Sequence, residues 1–401
     1  MPKNIVILCD GTSNEISHDR TNILRLHGCL KKNNSQIVFY DPGVGTFGAE
    51  HSPFAFRRKA AEVWGLATGW GLDKNVKDAY RFLVDHYDHG EKDEHGKRQS
   101  DEIIIYGFSR GAYTARVLAG FIHTLGLLHP NQMNLLDYAY RAYKGISDRF
   151  EDQEDGDGPG PFAEVRLYER ALKPTRPTIS FLGLFDTVAS VLESGKRGYR
   201  FRSHAFTANN RSVAAVRHAV ALDERRTMFQ PMLWPLGQTH RPDYWVKQTE
   251  IPQDADEQWF RGTHGDIGGG WPERQSALAK IPLAWMIEES KKFGIAFETR
   301  SVNQVVLGKT TKAGPSKYQP PNTCATVNKS MTGFWPILEY FPRRRSIHVR
   351  TNRTVIGGLF IPRKERRIVP SDAKIHPSVY DCDQLDVASL HPNLPETNGF
   401  T

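Results

Sequence analysis

A β-branched run that stops at a serine between two glycines, then restarts with helical spacing, limits this chain's fold more than any other feature. In "DEIIIYGFSRGAYTARVLAGF" (101–121), residues 102–106 read as a buried parallel strand. From Arg110 the apolar residues fall at Leu118, Phe121, Ile122 and Leu125, the spacing of one helix face. Ser109 therefore sits at a strand-to-helix corner. Further strand-like runs at 4–8, 36–40, 178–184 and 258–262 alternate with helical patterns such as Val76, Ala79, Tyr80, Leu83 and Tyr87. That alternation predicts an α/β fold, a mostly parallel sheet with helices on both faces. In such sheets the loops at the carboxyl ends of the strands gather the chemistry.

Gly107, Ser109 and Gly111 spell G-x-S-x-G, the nucleophile elbow of α/β-hydrolases, which predicts the α/β-hydrolase fold with lid-like insertions and a short C-terminal extension. The turn must be tight enough to lift the serine oxygen above the sheet, and flanking glycines remove the Cβ atoms that would clash. An activated serine needs a histidine base, and the base needs a carboxylate to hold its tautomer. "TISFLGLFDTV" places Asp186 after an apolar run, and "EQWFRGTHGDIGGGW" places His264 after another. The order Ser, Asp, His is that of α/β-hydrolases. Among rivals, His218 reads as a surface or satisfied core residue inside a helical pattern, Asp223 belongs to "ALDERR", and Asp266 shapes the loop around His264. The amide of Arg110 opens a helix and suits an oxyanion, and a second amide is expected from Gly11 or Thr12 in "CDGTSN", with Asp10 pinning that loop.

The chain has 401 residues, 39 % hydrophobic, with no apolar run of 18 or more, so no transmembrane segment is expected. The start, "MPKNIVILCDGT", has too short an apolar run for a secretory signal. The expectation is a cytoplasmic chain as encoded, exported only if a dedicated secretion system takes it. Cys9, Cys29, Cys324 and Cys382 lack C-x-x-C spacing, which argues against a zinc ribbon or disulfide framework and for a reducing compartment. Between residues 341 and 370 nine cations face one anion, a stretch equal to the whole +8 surplus. It suggests peripheral contact with anionic lipid through 343–367 and no nucleic acid as partner. The organisation expected is a catalytic domain at 1–300 and a basic C-terminal extension at 301–401 packed on it. Within the first, 193–256 reads as a lid or cap containing a short helix at 213–222.

The ordered set "CDGTSN", "YDPGVGT", "GFSRGAYTAR", "FLGLFDTVASV", "HAVALDERRTMFQP" and "WFRGTHGDIGGGW" resembles the catalytic domain of the first class of type VI secretion lipase effectors, over roughly residues 3–290. The resemblance implies an α/β-hydrolase with a Ser-Asp-His triad acting on membrane glycerophospholipids. Carried over motif by motif, Ser109 is the nucleophile, Asp186 the acid and His264 the base. The function expected is therefore serine-dependent cleavage of carboxylic esters, an ester or phospholipid being the substrate, with no cofactor or metal required. The alternative is a metal-dependent phosphoester hydrolase with Asp10, Asp186, His264 and Asp266 as ligands.

Overall fold

A computed structural model describes residues 2–11, 20–43, 71–91, 94, 99–152, 160–188, 192–195, 198–201, 204–242, 249–310, 316–333, 335–344, 350–382 and 394. Among these, seven strands form one sheet: β1 (Asn4–Cys9), β2 (Gln36–Asp41), β3 (Glu102–Phe108), β4 (Ile179–Phe185), β5 (Val213–Ala221), β6 (Asp254–Phe260) and β7 (Lys374–Ile375). Their spatial order is β7-β6-β5-β4-β3-β1-β2, and every pair is parallel. Parallel strands are covered on both faces, and β1 obeys: Ile5, Val6, Ile7, Leu8 and Cys9 are all fully buried. Alternate side chains serve opposite layers. Ile5 and Ile7 pack with helices α2 (Leu72–His86) and α3 (Arg110–Leu125), while Val6 and Leu8 pack with α1 (Asn22–Cys29) and α4 (Lys280–Lys291). The apolar stripe read from the sequence, Val76, Ala79, Tyr80 and Leu83, is the buried face of α2.

The stretch 213–222 is not a helix. Residues Val213–Ala221 form β5, between β4 and β6, with eight of its nine residues buried. A strand covered on both sides shows no alternation, and its alanines and valines read as helically as they read extended. The reading of 193–256 as a lid is corrected for the same reason, because it contains an inner strand of the sheet and the start of β6.

Several of the described residues beyond 310 bond to the loops at the carboxyl ends of the strands. β7 adds to the sheet edge beside β6. Asn328 donates to Asp266 Oδ1 (2.5 Å), and the Ser330 hydroxyl donates to Glu224 Oε1 (3.1 Å). The buried Glu339 accepts from the Thr227 amide and hydroxyl at 3.0 and 2.5 Å. Cys324 and Cys382 form a disulfide with a sequence separation of 58, although the cysteine spacing argued against a disulfide framework. Pairing requires adjacent Cα atoms, here 5.2 Å apart, and spacing along the chain does not report that distance. Cys9 and Cys29 are buried thiols. By loop-closure entropy a bridge over 58 residues is worth about 4 kcal/mol. Cys382→Ser is thus expected to lower the melting temperature by about 5 °C, read by calorimetry with and without reductant. An unchanged transition would mean that the bridge does not constrain the unfolded chain.

Candidate active site

Strand order places the site. From β1 the chain moves outward to β2, then returns past β1 to lay β3 on its other side and build on toward β7. The carboxyl ends of β1 and β3 therefore diverge at a switch point, where an open parallel sheet leaves a crevice. Asp10 follows β1 and Ser109 follows β3.

Ser109 holds φ +58° and ψ −123°, a backbone state that L residues rarely adopt. The corner is tight on both sides. A Cβ on Gly107 would lie 2.5 Å from Ala112 Cα, and one on Gly111 would run into the carbonyl oxygens of Cys9 and Asp10. The Ser109 amide donates to Phe185 O (3.0 Å), tying the corner to the end of β4. Arg110 is the first residue of α3, so its amide lies at the positive end of the helix dipole.

The three residues singled out from the sequence meet here. Ser109 Oγ lies 2.8 Å from His264 Nε2, and His264 Nδ1 lies 2.5 Å from Asp186 Oδ2. Ser109 and His264 are 7 % and 6 % exposed, and Asp186 is fully buried. Burial by itself would raise the Asp186 carboxyl, but the Arg367 guanidinium and His264 outweigh it and hold the acid well below the usual carboxylate range. Burial pushes His264 down, against the pull of Asp186, and leaves it below its ordinary value. An ionised Asp186 and a neutral imidazole fix the tautomer: Nδ1–H donates to Asp186, and Nε2 accepts from the serine hydroxyl. A serine so placed can give up its proton as it attacks an acyl carbon.

The rivals have other work. His218 lies on β5, fully buried, with Nδ1 2.8 Å from Glu257 Oε2 and Nε2 accepting from the Thr187 amide (3.1 Å). Asp223 Oδ2 accepts from the Gly262 amide (2.7 Å). Asp266 Oδ2 accepts from the Thr263 amide and hydroxyl at 2.9 and 3.0 Å, capping the short helix His264–Gly268 that carries His264.

Asp10 pins its loop, accepting from the Thr21 and Tyr40 hydroxyls at 2.5 and 2.8 Å. Its other oxygen accepts from the Gly11 amide (2.7 Å). That corrects the assignment of Gly11 to the oxyanion hole, because the aspartate immediately before it already engages this donor. Thr12, the other candidate, lies outside the described residues. The metal alternative also lacks its cluster: Asp10, Asp186 and Asp266 hold separate partners. Among the described residues no group of three or more His, Cys, Asp or Glu is placed to bind an ion.

Sequence reading missed three charged groups. Glu224, fully buried in the "ALDERR" motif, accepts from the His264 amide (3.2 Å) and pairs with Arg226 (2.8 Å). The Arg226 guanidinium lies 3.7 Å from the centre of the Phe229 ring, itself 4.8 Å from the His264 ring. Arg367 Nη1 and Nη2 donate to Asp186 Oδ1 and Oδ2 at 2.6 and 3.0 Å. Adjacency within "ALDERR" was a usable signal for the first two. Nothing local marks Arg367, which stands in the basic stretch taken as surface.

The family model for the catalytic domain of Tle1-like phospholipase effectors of the type VI secretion system matches residues 3–289. An uncharacterized protein of Saccharomyces cerevisiae is 25 % identical over 77 % of this chain, which spans 60 % of that protein's length. Two solved structures are also similar. One is an uncharacterized protein from Pseudomonas aeruginosa, at TM-score 0.41 and 19 % identity, covering 74 % of this chain and 46 % of that one. The other is a Tle1 effector bound to the VgrG spike of the type VI secretion system, at TM-score 0.30 and 17 % identity, covering 69 % and 52 %.

Proposed function

Since the chain belongs to the Tle1-like phospholipase effector catalytic-domain family, an α/β-hydrolase family, we propose that it cleaves carboxylic esters of glycerophospholipids by a Ser109–His264–Asp186 triad. The observation that carries this reading is the hydrogen-bonded row from Ser109 Oγ through His264 to Asp186 at the sheet's switch point. Ser109 Oγ attacks the acyl carbon while its proton passes to His264 Nε2, and Asp186 steadies the imidazolium through Nδ1–H. The amide of Arg110 stabilises the tetrahedral oxyanion. Collapse breaks the ester bond, and His264 returns the proton to the departing alcohol. Water, deprotonated by the same nitrogen, then attacks the acyl-enzyme and frees the fatty acid with Ser109 restored.

The surroundings suit a lipid. The Phe108 ring lies 4.7 Å from that of His264, and Phe229 links His264 to Trp335, 5.6 Å beyond. Further along the chain the side chains of Ile337, Tyr340, Phe341, Ile356 and Leu359 are 47–76 % exposed. Arg350 and Arg363 are exposed on the same segment, and Lys364 sits 5.4 Å from the Tyr340 ring centre. Apolar side chains amid cations fit the interface of an anionic membrane. Among the described residues no helix is long and apolar enough to cross one.

The test is labelling with a fluorophosphonate read by intact mass, followed by fatty-acid release from vesicles. One adduct is expected on the wild type, forming on the order of 10²-fold more slowly in His264→Ala. Phosphatidylcholine vesicles doped with phosphatidylglycerol should be hydrolysed faster than pure ones, with the advantage fading as salt rises. A folded protein that takes no adduct and releases no fatty acid would overturn the reading.

A further inference from the structure

We propose that Arg367, delivered from beyond the family domain, is a positioning residue for Asp186, so that the C-terminal segment completes the active site. The inference rests on the hydrolase reading above. The family match ends at residue 289, yet the carboxylate that holds His264 takes two of its four hydrogen bonds from a residue 181 positions later in the chain. The other two come from the Ala221 amide (2.9 Å) and His264 Nδ1. Arg367 is 1 % exposed, and its guanidinium also donates to the carbonyl oxygens of Ala221 (2.8 Å) and Phe229. This two-pronged geometry is one that only arginine offers.

Charge balance explains why the site needs it. Asp186 is fully buried, and a buried anion without a countercharge takes up a proton or keeps a neighbouring base protonated. General-base catalysis requires the opposite state, an ionised Asp186 beside a neutral His264. Arg367 supplies the fixed positive charge that makes that state neutral overall. The other charged and titratable groups facing the pair cannot replace it. Glu224 and Arg226 pair with each other, and His218, behind Asp186, is engaged by Glu257. The segment that brings Arg367 is fastened on both sides of it, by the Glu339–Thr227 bonds before and by β7 and Cys382 after.

The experiment is the pH profile of kcat/KM for an ester substrate in Arg367→Gln, Arg367→Lys and the wild type. In Arg367→Gln the Asp186–His264 pair gains a proton near neutrality. The acid limb should move up by about one pH unit or more, with activity about 10²-fold down at pH 7 and largely recovered toward pH 9. Arg367→Lys keeps the charge and should keep the limb, losing turnover through poorer geometry. In an Asp186→Asn background, Arg367→Gln should cost almost no further activity, and this double variant carries no unpaired buried charge that would hinder folding. A loss equal at every pH, an unmoved limb, or an undiminished loss in the Asp186→Asn background would each overturn the proposal. A folded wild type that takes no phosphonate would overturn the hydrolase reading itself. A labelled wild type with an unmoved Arg367→Gln profile overturns this inference alone.

Discussion

Ser109→Ala is expected to lower ester turnover by a factor on the order of 10⁴ or more and to abolish the phosphonate adduct. The hydroxyl is the atom that the geometry aligns with His264, at 2.8 Å. Fold stability should hardly move, because the substitution removes a single small hydroxyl. Ser109→Gly makes the sharper companion. At φ +58° and ψ −123° the serine occupies a strained state that glycine enters freely, so the glycine variant should be more stable than the wild type by about 1 kcal/mol while equally inactive. Chemical denaturation measures the gain, and intact mass measures the adduct. Retained turnover in either variant would remove Ser109 as the nucleophile. A glycine variant less stable than wild type would remove the strain argument and leave the chemistry intact.

Asp186→Asn carries the largest combined effect. Four donors converge on two carboxylate oxygens: Arg367 Nη1 and Nη2, the Ala221 amide and His264 Nδ1. Asparagine offers one acceptor oxygen and turns an N–H₂ group toward the rest, so donors meet donors and Arg367 loses its buried countercharge. Removing one partner of a buried pair costs about 3–5 kcal/mol. Turnover should fall on the order of 10³- to 10⁴-fold, since the imidazole loses the group that fixes its tautomer. The thermal transition and the labelling rate report the two effects separately. A variant as stable as wild type would mean that Arg367 finds another anion, and full activity would exclude Asp186 from the triad.

How far the site was legible follows the distance over which each feature is encoded. The elbow needs about ten consecutive residues, so strand, glycines, serine and helix stand together in the sequence. Asp186 and His264 were legible because each ends an apolar run, and strand ends are where a parallel sheet puts its chemistry. Asp266 showed itself as a loop-shaper by its place two residues after His264. Gly11 was misassigned because the aspartate that takes its amide is its own neighbour, and two adjacent residues in a turn do not announce which will bond to which.

The remaining errors come from burial and from contacts between distant segments. In β5 both faces are covered, which erases the alternation that would separate a strand from a helix. Arg367 stands among surface-like cations, and only packing against Asp186 makes it an interior group. Cys324 and Cys382 meet because β7 returns the chain to the sheet edge near the turn that follows residue 322. The sequence by itself determined the α/β class, the corner that presents Ser109 and the chain order of its partners, since all of these are written in local spacing and in the ends of apolar runs. Only the tertiary structure decided which charge balances Asp186, which cysteines pair and where residues beyond 310 settle, because those depend on contacts between segments far apart in the chain, and local residue patterns carry no record of them.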